Sequence, residues 1–222
     1  MKNRDIPLFL GAGADPAVIN PKEHVRFLMR GKTDRRIRLP RRGIITFRYM
    51  EELLTKVKET SDHRVHSWFR WPLLDFRTGG HRVVCATLPS LGAPGAAYMV
   101  ENLWALGVTD VILVGRSGVL KKGIMRGSLI IPTEAIRDEG TSYHYLQANA
   151  KVEPSPTLVQ LLKNSCAKQG IAPIGGKTWT TDGLYRETWR KIERVQSDGA
   201  VCVDMEASAC FAVAAFRVIR LA

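Results

Sequence analysis

Short apolar runs alternate with stretches of helical periodicity along most of the chain. The continuous apolar runs at residues 82–87 and 111–114 predict buried strands. Between them, residues 96–106 repeat apolar side chains at helical spacing, and Gly107 follows where a helix C-terminal glycine is expected. Strands that alternate with helices are typical of a layered α/β fold, in which ligands bind at the C-terminal ends of the strands.

The same patterns extend to both ends of the chain. They predict further strands at residues 7–10, 128–132 and 200–203, and further helices at residues 49–58, 156–169 and 207–216. Residues 218–222 read as the start of a strand, so we expect that a C-terminal strand and helix are lacking. Because no internal repeat or linker interrupts the pattern, we predict a single domain over residues 1–222.

Composition narrows the class of protein. The chain has 222 residues, of which 45% are apolar and 24% charged, enough for one well-filled core. No apolar run reaches the roughly 18 residues of a membrane span, and the N-terminus lacks a secretory signal, so we expect a cytoplasmic protein without a membrane partner. The widely spaced Cys85, Cys166, Cys202 and Cys210 predict buried, reduced thiols rather than a metal site.

The chain is strongly basic, with a formal net charge of +12. Between residues 30 and 48, eight Lys/Arg residues face one acid, Asp34. This stretch could contact nucleic acid, form a solvated loop, or lie on a subunit surface near a phosphate-using site. It has no interleaved aromatic residues and no binding motif, so we expect no nucleic-acid partner.

The segment that carries most chemistry is VDMEASA, residues 203–209, where a predicted strand runs into an apolar helix. A carboxylate at the mouth of a sheet can accept two hydrogen bonds from a vicinal diol, and Glu206 is placed for that role. Alternatively, Asp204 caps the helix and Glu206 is favoured in the first turn by the helix dipole. The residues alone leave both interpretations open.

Two further segments group polar and aromatic residues. Residues 178–188 read as one loop whose mixture of side chains could stack on a base and bond its edge. Alternatively, Asp182 in this loop bonds neighbouring backbone amides. In residues 136–145, His144 could act as an acid or base, although a packing role beside two tyrosines is the preferred interpretation.

The chain resembles the nucleoside phosphorylase family, and most closely its uridine-phosphorylase-like branch. The resemblance rests on GSLIIPTEAIRDEGTSYHY at residues 127–145, TTDGLYRE at residues 180–187 and VDMEASA at residues 203–209. It implies a three-layer α/β/α fold with a mixed, twisted central sheet. It also implies cleavage of an N-glycosidic bond by phosphate, with no metal or organic cofactor. Because family members share site residues between subunits, it implies a homo-oligomer, a dimer or hexamer, in which Arg48 and Arg70 would reach across.

The resemblance assigns roles to particular side chains. Glu206 would bond the ribose hydroxyls, and Met205 would pack on the sugar. Residues 181–190 would face the base, with Leu184 at a position that is aromatic in the family and Arg190 as the retained base-reading arginine. The other implied substrate-binding residues are Asp204, Thr181, Asp182, Tyr185, Thr188, Leu91, Gly92, Ser117 and Gly118.

The phosphate site departs from the family pattern. Val18 and Leu113 occupy positions where the family has arginines, whereas Arg116 stands where a hydroxyl residue is usual. Arg116 could therefore supply the positive charge from a new place, or it could point outward and pair with a surface acid such as Glu139. Without a phosphate arginine, the alternatives are a nucleoside hydrolase that uses water and a nucleoside-binding protein with little activity.

Overall fold

The computed structural model describes residues 16–30, 39–47, 51–66, 72–88 and 90–222, and these divide into two compact units. Described residues of the first unit belong to Gly92–Ala97 and Arg116–Ala222, and those of the second to Pro16–Leu91 and Tyr98–Gly115. The predicted strand at residues 7–10, Arg48 and Arg70 lie outside the described residues. A single domain over residues 1–222 stays a prediction.

The second unit is built around a mixed sheet. Its strands are β1 (Arg42–Phe47), β2 (His63–His66), β3 (Leu73–Thr78), β4 (His81–Leu88) and β5 (Asp110–Leu113), in the order β5-β1-β4-β3-β2. Strand β1 runs parallel to β4 and β5, whereas β3 is antiparallel to β4 and β2. The helices are α1 (Pro21–Leu28), α2 (Glu51–Thr60) and α3 (Ala93–Ala105), of which α3 begins in the first unit.

A tight hairpin explains the antiparallel part of this sheet. Gly79 and Gly80 join β3 to β4, and both have positive φ angles of 54° and 76°. A two-residue turn with φ positive at both positions matches the right-handed twist of the strands it connects. The sequence analysis missed β2 and β3, although the Gly-Gly pair beside apolar residues is a recognised hairpin signal.

The first unit contains the second sheet. Strands β6 (Gly118–Val119), β7 (Ile130–Asp138), β8 (Ile174–Thr181) and β9 (Ala200–Asp204) have the order β6-β9-β8-β7. Strands β7, β8 and β9 are parallel, and β6 is antiparallel to β9. The unit also contains α4 (Pro156–Lys168), α5 (Trp189–Ser197), α6 (Ala207–Arg217), a short strand β10 (Arg220–Leu221), and 3-10 helices at Thr141–His144 and Leu184–Arg186.

Helix α6 is the most deeply buried helix segment of this unit. Its first eight residues are all buried, in agreement with a sequence that is apolar or small on every side. The helix ends at Val218, which adopts a left-handed conformation with φ of 54°. Beneath the sheet, the Trp179 ring packs with Val195, Ala200 and Val203 in a buried cluster.

The structure confirms an α/β fold with mixed sheets, and the strands form two sheets. The predicted buried state of all four cysteines is also confirmed. The interpretation of residues 178–188 as one loop is wrong, because residues 178–181 are the buried end of β8. In the described part of the chain, no helix is long and apolar enough to cross a membrane.

Candidate functional site

The junction between β9 and α6 brings two acids to one end of the second sheet. Asp204 is the last residue of β9, and Glu206 directly precedes α6. Oδ1 of Asp204 accepts hydrogen bonds from the backbone amides of Glu206 and Ala207, each at 2.8 Å. Asp204 therefore satisfies amides that the first helical turn leaves without intrahelical partners, as the capping alternative predicts.

Two threonine hydroxyls on β8 also donate to Asp204. Thr178 bonds Oδ2, and Thr180 bonds Oδ1 at 3.0 Å. With the two amides, Oδ1 accepts three hydrogen bonds and Oδ2 accepts one, so protein groups take most of the acceptor capacity of the carboxylate. Burial raises the pKa of the Asp204 carboxyl, and the hydrogen bonds from its partners act against that rise. The geometry thus gives Asp204 a structural task, and its direct contact with substrate stays a prediction.

Glu206 has a different set of partners. Its Oε1 accepts from the Gly92 amide at 2.6 Å, and its Oε2 accepts from the Met205 amide at 3.3 Å. The side chain is buried, with a residue exposure of 5%. Among the described residues these two amides are its hydrogen-bond donors, so about two of its four acceptor positions remain for a ligand.

The charge on Glu206 is only partly compensated. Burial raises the pKa of its carboxyl, the Gly92 amide acts in the opposite direction, and the nearby Asp204 raises it further. Gly92 itself has a φ of 115°, a region that glycine enters without steric cost. The sequence analysis named Gly92 from the resemblance alone, and the structure shows that its amide orients the Glu206 carboxylate.

The position of Glu139 overturns one alternative for Arg116, in which the arginine pairs with Glu139 as a surface acid. Glu139 is not a surface acid, because it is buried and its carboxylate faces the start of α6. Oε1 accepts from the Ser208 hydroxyl at 2.7 Å, and Oε2 accepts from the Ser142 amide at 2.9 Å. The idea that Glu139 is an exposed partner for Arg116 is therefore wrong.

Arg116 lies in the segment that leads into β6. The antiparallel register pairs Gly118 with Val203 and Val119 with Cys202. A Cβ on Gly118 would lie 2.8 Å from Cγ1 of Val203, so glycine allows the two backbones to approach this closely. The observed pairing ends at Gly118 and Val203, so Arg116 lies two residues before that pair and Met205 lies two residues after it. Arg116 and Ser117 are both exposed.

The predicted base-facing residues occupy several environments. Thr181 is buried and accepts from the Gly183 amide at 3.2 Å, while Asp182 accepts from the Gly140 amide at 2.9 Å. Thr188 caps α5 by accepting from the Lys191 amide at 3.4 Å. The exposed residues of this set are Asp182, Leu184, Tyr185, Thr188 and Arg190, and Leu91 in the loop after β4 is exposed as well.

Arg137 makes several polar contacts near this site, although the sequence alone assigned it no role. Its guanidinium donates to the Ser142 hydroxyl at 2.8 Å and to three backbone carbonyls, those of Leu146, Gln147 and Ala150. It also lies 4.1 Å from the centre of the Tyr143 ring. Burial lowers the pKa of Arg137, against the attraction of nearby acidic groups. Arg137 therefore organises the loop after β7, and an arginine inside an apolar strand was the available signal.

The remaining predictions concern His144 and metal ions. His144 is exposed on its 3-10 helix, while its neighbour Tyr145 packs edge-on against Phe216 with ring centres 5.6 Å apart. Within the described ranges, no group of three or more His, Cys, Asp or Glu side chains is arranged to hold a metal ion. The absence of a cofactor stays a prediction.

Solved structures share this architecture. Uridine phosphorylase from Vibrio fischeri superposes with a TM-score of 0.74 at 23% identity, over 82% of this chain and 77% of its own. AMP nucleosidase from Bacteroides thetaiotaomicron superposes with a TM-score of 0.76 at 23% identity, over 91% of this chain and 87% of its own. At this level of identity the likeness establishes the fold.

Sequence comparison adds the family. The profile of the phosphorylase superfamily matches residues 48–222, and the chain belongs to that superfamily. Uridine phosphorylase from Haemophilus influenzae is 30% identical over 126 residues, which are 57% of this chain and 47% of that protein. Guanosine phosphorylase from Halorubrum lacusprofundi is 25% identical over 142 residues, 64% of this chain and 58% of that protein. The chain thus spans about half the length of the curated relatives it matches.

Proposed function

We propose that this protein is a nucleoside phosphorylase, which cleaves the N-glycosidic bond of a uridine-like or purine nucleoside with phosphate. The products are the free base and ribose 1-phosphate. The observation that carries the proposal is the Glu206 carboxylate, held by two backbone amides with about two acceptor positions left over. A ribose offers a vicinal diol, which donates two hydrogen bonds to one carboxylate.

The chemistry follows from that contact. As the bond between C1′ and the base nitrogen breaks, the base takes the electron pair and a proton, and an oxygen of phosphate bonds C1′. The transition state resembles an oxocarbenium ion, as in glycoside hydrolysis. A fixed carboxylate whose hydrogen bonds to the ribose hydroxyls tighten in that state lowers the barrier. Met205, the neighbour of Glu206, would pack on the sugar.

Arg116 would provide the charge for phosphate. The pairing of Gly118 with Val203 supports this role, since Arg116 lies two residues before that pair and Met205 two residues after it. A guanidinium can bind two phosphate oxygens at once, which a lysine cannot match in geometry. The exposed backbone at Ser117 and Gly118 would lie beside the same anion.

Hydrolysis is the second candidate. Val18 and Leu113 replace the arginines expected in a phosphate site, and one protein of the same fold is named an AMP nucleosidase. A hydrolase would use the same Glu206 contact, with water in place of phosphate at C1′. A nucleoside-binding protein with little turnover would keep the contact and lose the reaction.

One assay separates these candidates. Release of free base is measured for uridine, inosine, adenosine and methylthioadenosine, each with and without phosphate. Phosphate-dependent release supports the phosphorylase, release without phosphate supports the hydrolase, and tight binding without release supports the binding protein. The same titration with Arg116→Ala should raise the apparent phosphate constant, and Arg126→Ala, which changes another exposed arginine of the same unit, should not.

The partners follow from this reaction. We propose that the ligands are a small nucleoside and phosphate, that nucleic acids and membranes are not partners, and that the protein forms a dimer or hexamer in the cytoplasm. Tyr185 and Trp189, exposed by 96% and 81%, support self-association because large aromatic side chains are enriched in protein interfaces. Analytical ultracentrifugation that finds a fully active monomer at micromolar concentration would rule the oligomer out.

A further inference from the structure

We infer that Glu139 is a positioning residue for Glu206. Through a continuous series of buried and partly buried hydrogen bonds, it fixes the start of α6 and with it the direction of the ribose-binding carboxylate. The inference rests on the proposed function, because it concerns how the same site recognises a sugar. All the residues involved belong to the first unit.

The first link joins the end of β7 to α6. Glu139 follows the last residue of β7, is 4% exposed, and divides its two oxygens between two elements. Oε2 accepts from the Ser142 amide in the 3-10 helix, and Oε1 accepts from the Ser208 hydroxyl in the first turn of α6. Glu139 therefore connects two elements. One is the loop after β7, which Arg137 also contacts, and the other is α6, which begins just after Glu206.

The second link runs from Ser208 to the backbone of Glu206. The Ser208 amide donates to Oγ1 of Thr180 at 3.1 Å, and the same hydroxyl donates to Oδ1 of Asp204 at 3.0 Å. Oδ1 of Asp204 in turn accepts from the Glu206 amide at 2.8 Å. A displacement of Ser208 is thus transmitted through two buried polar groups to the residue that would contact ribose.

The choice of a carboxylate at this position needs a physical reason beyond filling space. Burying a charge is costly unless it is hydrogen-bonded, and an apolar residue would fill the same volume without that cost. A negative charge beside the first turn is favoured by the helix dipole and holds that turn more strongly than a neutral acceptor. Such a constraint matters at a binding site, where productive geometry requires tolerances of about 0.5 Å.

The test measures recognition of the diol itself. Affinities for a ribonucleoside and for its 2′,3′-dideoxy analogue are determined by titration calorimetry, and their ratio reports on the Glu206 contact. Glu139→Gln keeps the size of the side chain and removes its charge, and we expect the ratio to fall roughly tenfold, the effect of one charge-assisted hydrogen bond. Glu134→Gln is the matched control, because Glu134 lies on β7, which Glu139 follows, and pairs only with Lys151 and Lys177 among the described residues.

A double variant distinguishes positioning from general stability. If Glu139 acts through Glu206, Glu139→Gln lowers the ratio in the wild-type background and leaves it unchanged in the Glu206→Gln background. Should Glu139→Gln fail to fold, Ser208→Ala serves in its place, since it removes the same link with the loss of one hydroxyl.

The outcomes separate the inference from the proposed function. A wild-type protein that binds both nucleosides equally overturns the proposed function, and the inference falls with it. A wild-type protein that prefers the ribonucleoside, together with Glu139→Gln and Ser208→Ala variants that keep the full preference, overturns the inference alone. An equal loss in both Glu206 backgrounds overturns it as well.

Discussion

Each of the two units buries an aspartate in its sheet, and the two side chains differ in the charge of their partners. In the second unit, Asp75 accepts from the Arg82 guanidinium at 2.9 Å and lies 3.2 Å from Nε2 of His66. In the first unit, Asp204 accepts from two threonine hydroxyls and two backbone amides, all of which are uncharged. Both carboxylates are supplied with donors, but among the residues that the structure describes only Asp75 has a cation in contact.

This difference in partners shifts the pKa values of the two aspartates in opposite directions. Burial alone raises the pKa of Asp75, but hydrogen bonds from Arg82 and His66 outweigh it and hold the pKa below its usual value. For Asp204 and Glu206, burial dominates and the pKa values are raised. Asp204 and Asp75 both have structural tasks, whereas Glu206 has two neutral donors and about two acceptor positions left over.

The largest effect on stability is expected when Asp204 is replaced, because its four neutral donors then lose their acceptor. Asp204→Ala leaves the Thr178 and Thr180 hydroxyls and the Glu206 and Ala207 amides without their carboxylate. Unsatisfied buried donors are costly, so the free energy of unfolding should fall by about 3–5 kcal/mol. Urea denaturation of the variant and of Asp198→Ala, an exposed aspartate of the same unit, measures the difference. An equal loss in both variants would contradict the central place given to Asp204.

The next largest effect is expected at Glu206, the acid that we propose binds the ribose. Glu206→Gln should keep the Gly92 amide bond and lose about 1.5–3 kcal/mol of ribonucleoside affinity, since the hydroxyls then face a neutral amide. Because the pKa of Glu206 is raised, the folded state holds its proton more tightly than the unfolded state. The contribution of Glu206 to the free energy of unfolding therefore decreases as pH rises from the ordinary glutamate pKa of about 4.3 to the raised value.

Two measurements check this prediction. Calorimetry should show wild-type ribonucleoside affinity rising with pH over that same interval, as the carboxylate ionises, and no such rise in Glu206→Gln. Denaturation at neutral pH should find the variant at least as stable as the wild type. A variant with unchanged nucleoside affinity would refute the assignment of Glu206.

The charged cluster of the second unit should respond with the opposite sign. Asp75→Asn should lower the free energy of unfolding by about 2 kcal/mol, less than a fully buried pair because Arg82 is partly exposed. The lowered pKa of Asp75 means that its stabilisation is complete above the ordinary aspartate pKa of about 3.9 and is lost as pH falls through the folded value. Asp62→Asn, which alters an exposed aspartate of the same unit, should leave the acid limb unchanged.

The smallest effect is expected from a substitution at the C-terminal end of α6, which changes the stability of the helix without altering Asp204 or Glu206. Val218 ends this helix in the left-handed conformation, which is costly for a β-branched residue, and its side chain is exposed. Val218→Gly should raise the free energy of unfolding by about 0.5–1 kcal/mol while leaving nucleoside affinity unchanged. Thermal unfolding and calorimetry together test this. A change in affinity would show that the helix as a whole, and not only its first turn, determines the site.

Some of this organisation is local and could be predicted from the sequence. The apolar run in residues 207–216 indicates a buried helix, and Gly107 and Gly170 follow the helices they were expected to end. The position of Glu206 between a strand and that helix was equally visible. Each of these features depends on neighbours within a few residues.

The missed features depend on partners that are distant in sequence. Thr178 and Thr180 made residues 178–188 look like a polar loop, yet their hydroxyls lie inside the sheet because Asp204 accepts from both. Glu139 looked like a surface acid because its partner Ser208 is 69 positions away. A polar residue is predictable as buried only when the group that satisfies it is known, and that knowledge comes from the fold.

The link between Gly92 and Glu206 has a consequence for how such a site can diversify. Both donors to the glutamate are main-chain amides, which every residue except proline provides, so the side chains around the carboxylate can be exchanged without removing them. Of the three residues that form these two hydrogen bonds, only the glutamate and the glycine, 114 positions apart, are tied to their identity. If the proposed function holds, a library that varies the exposed residues 184, 185 and 190 would test whether base preference changes while these two hydrogen bonds are kept.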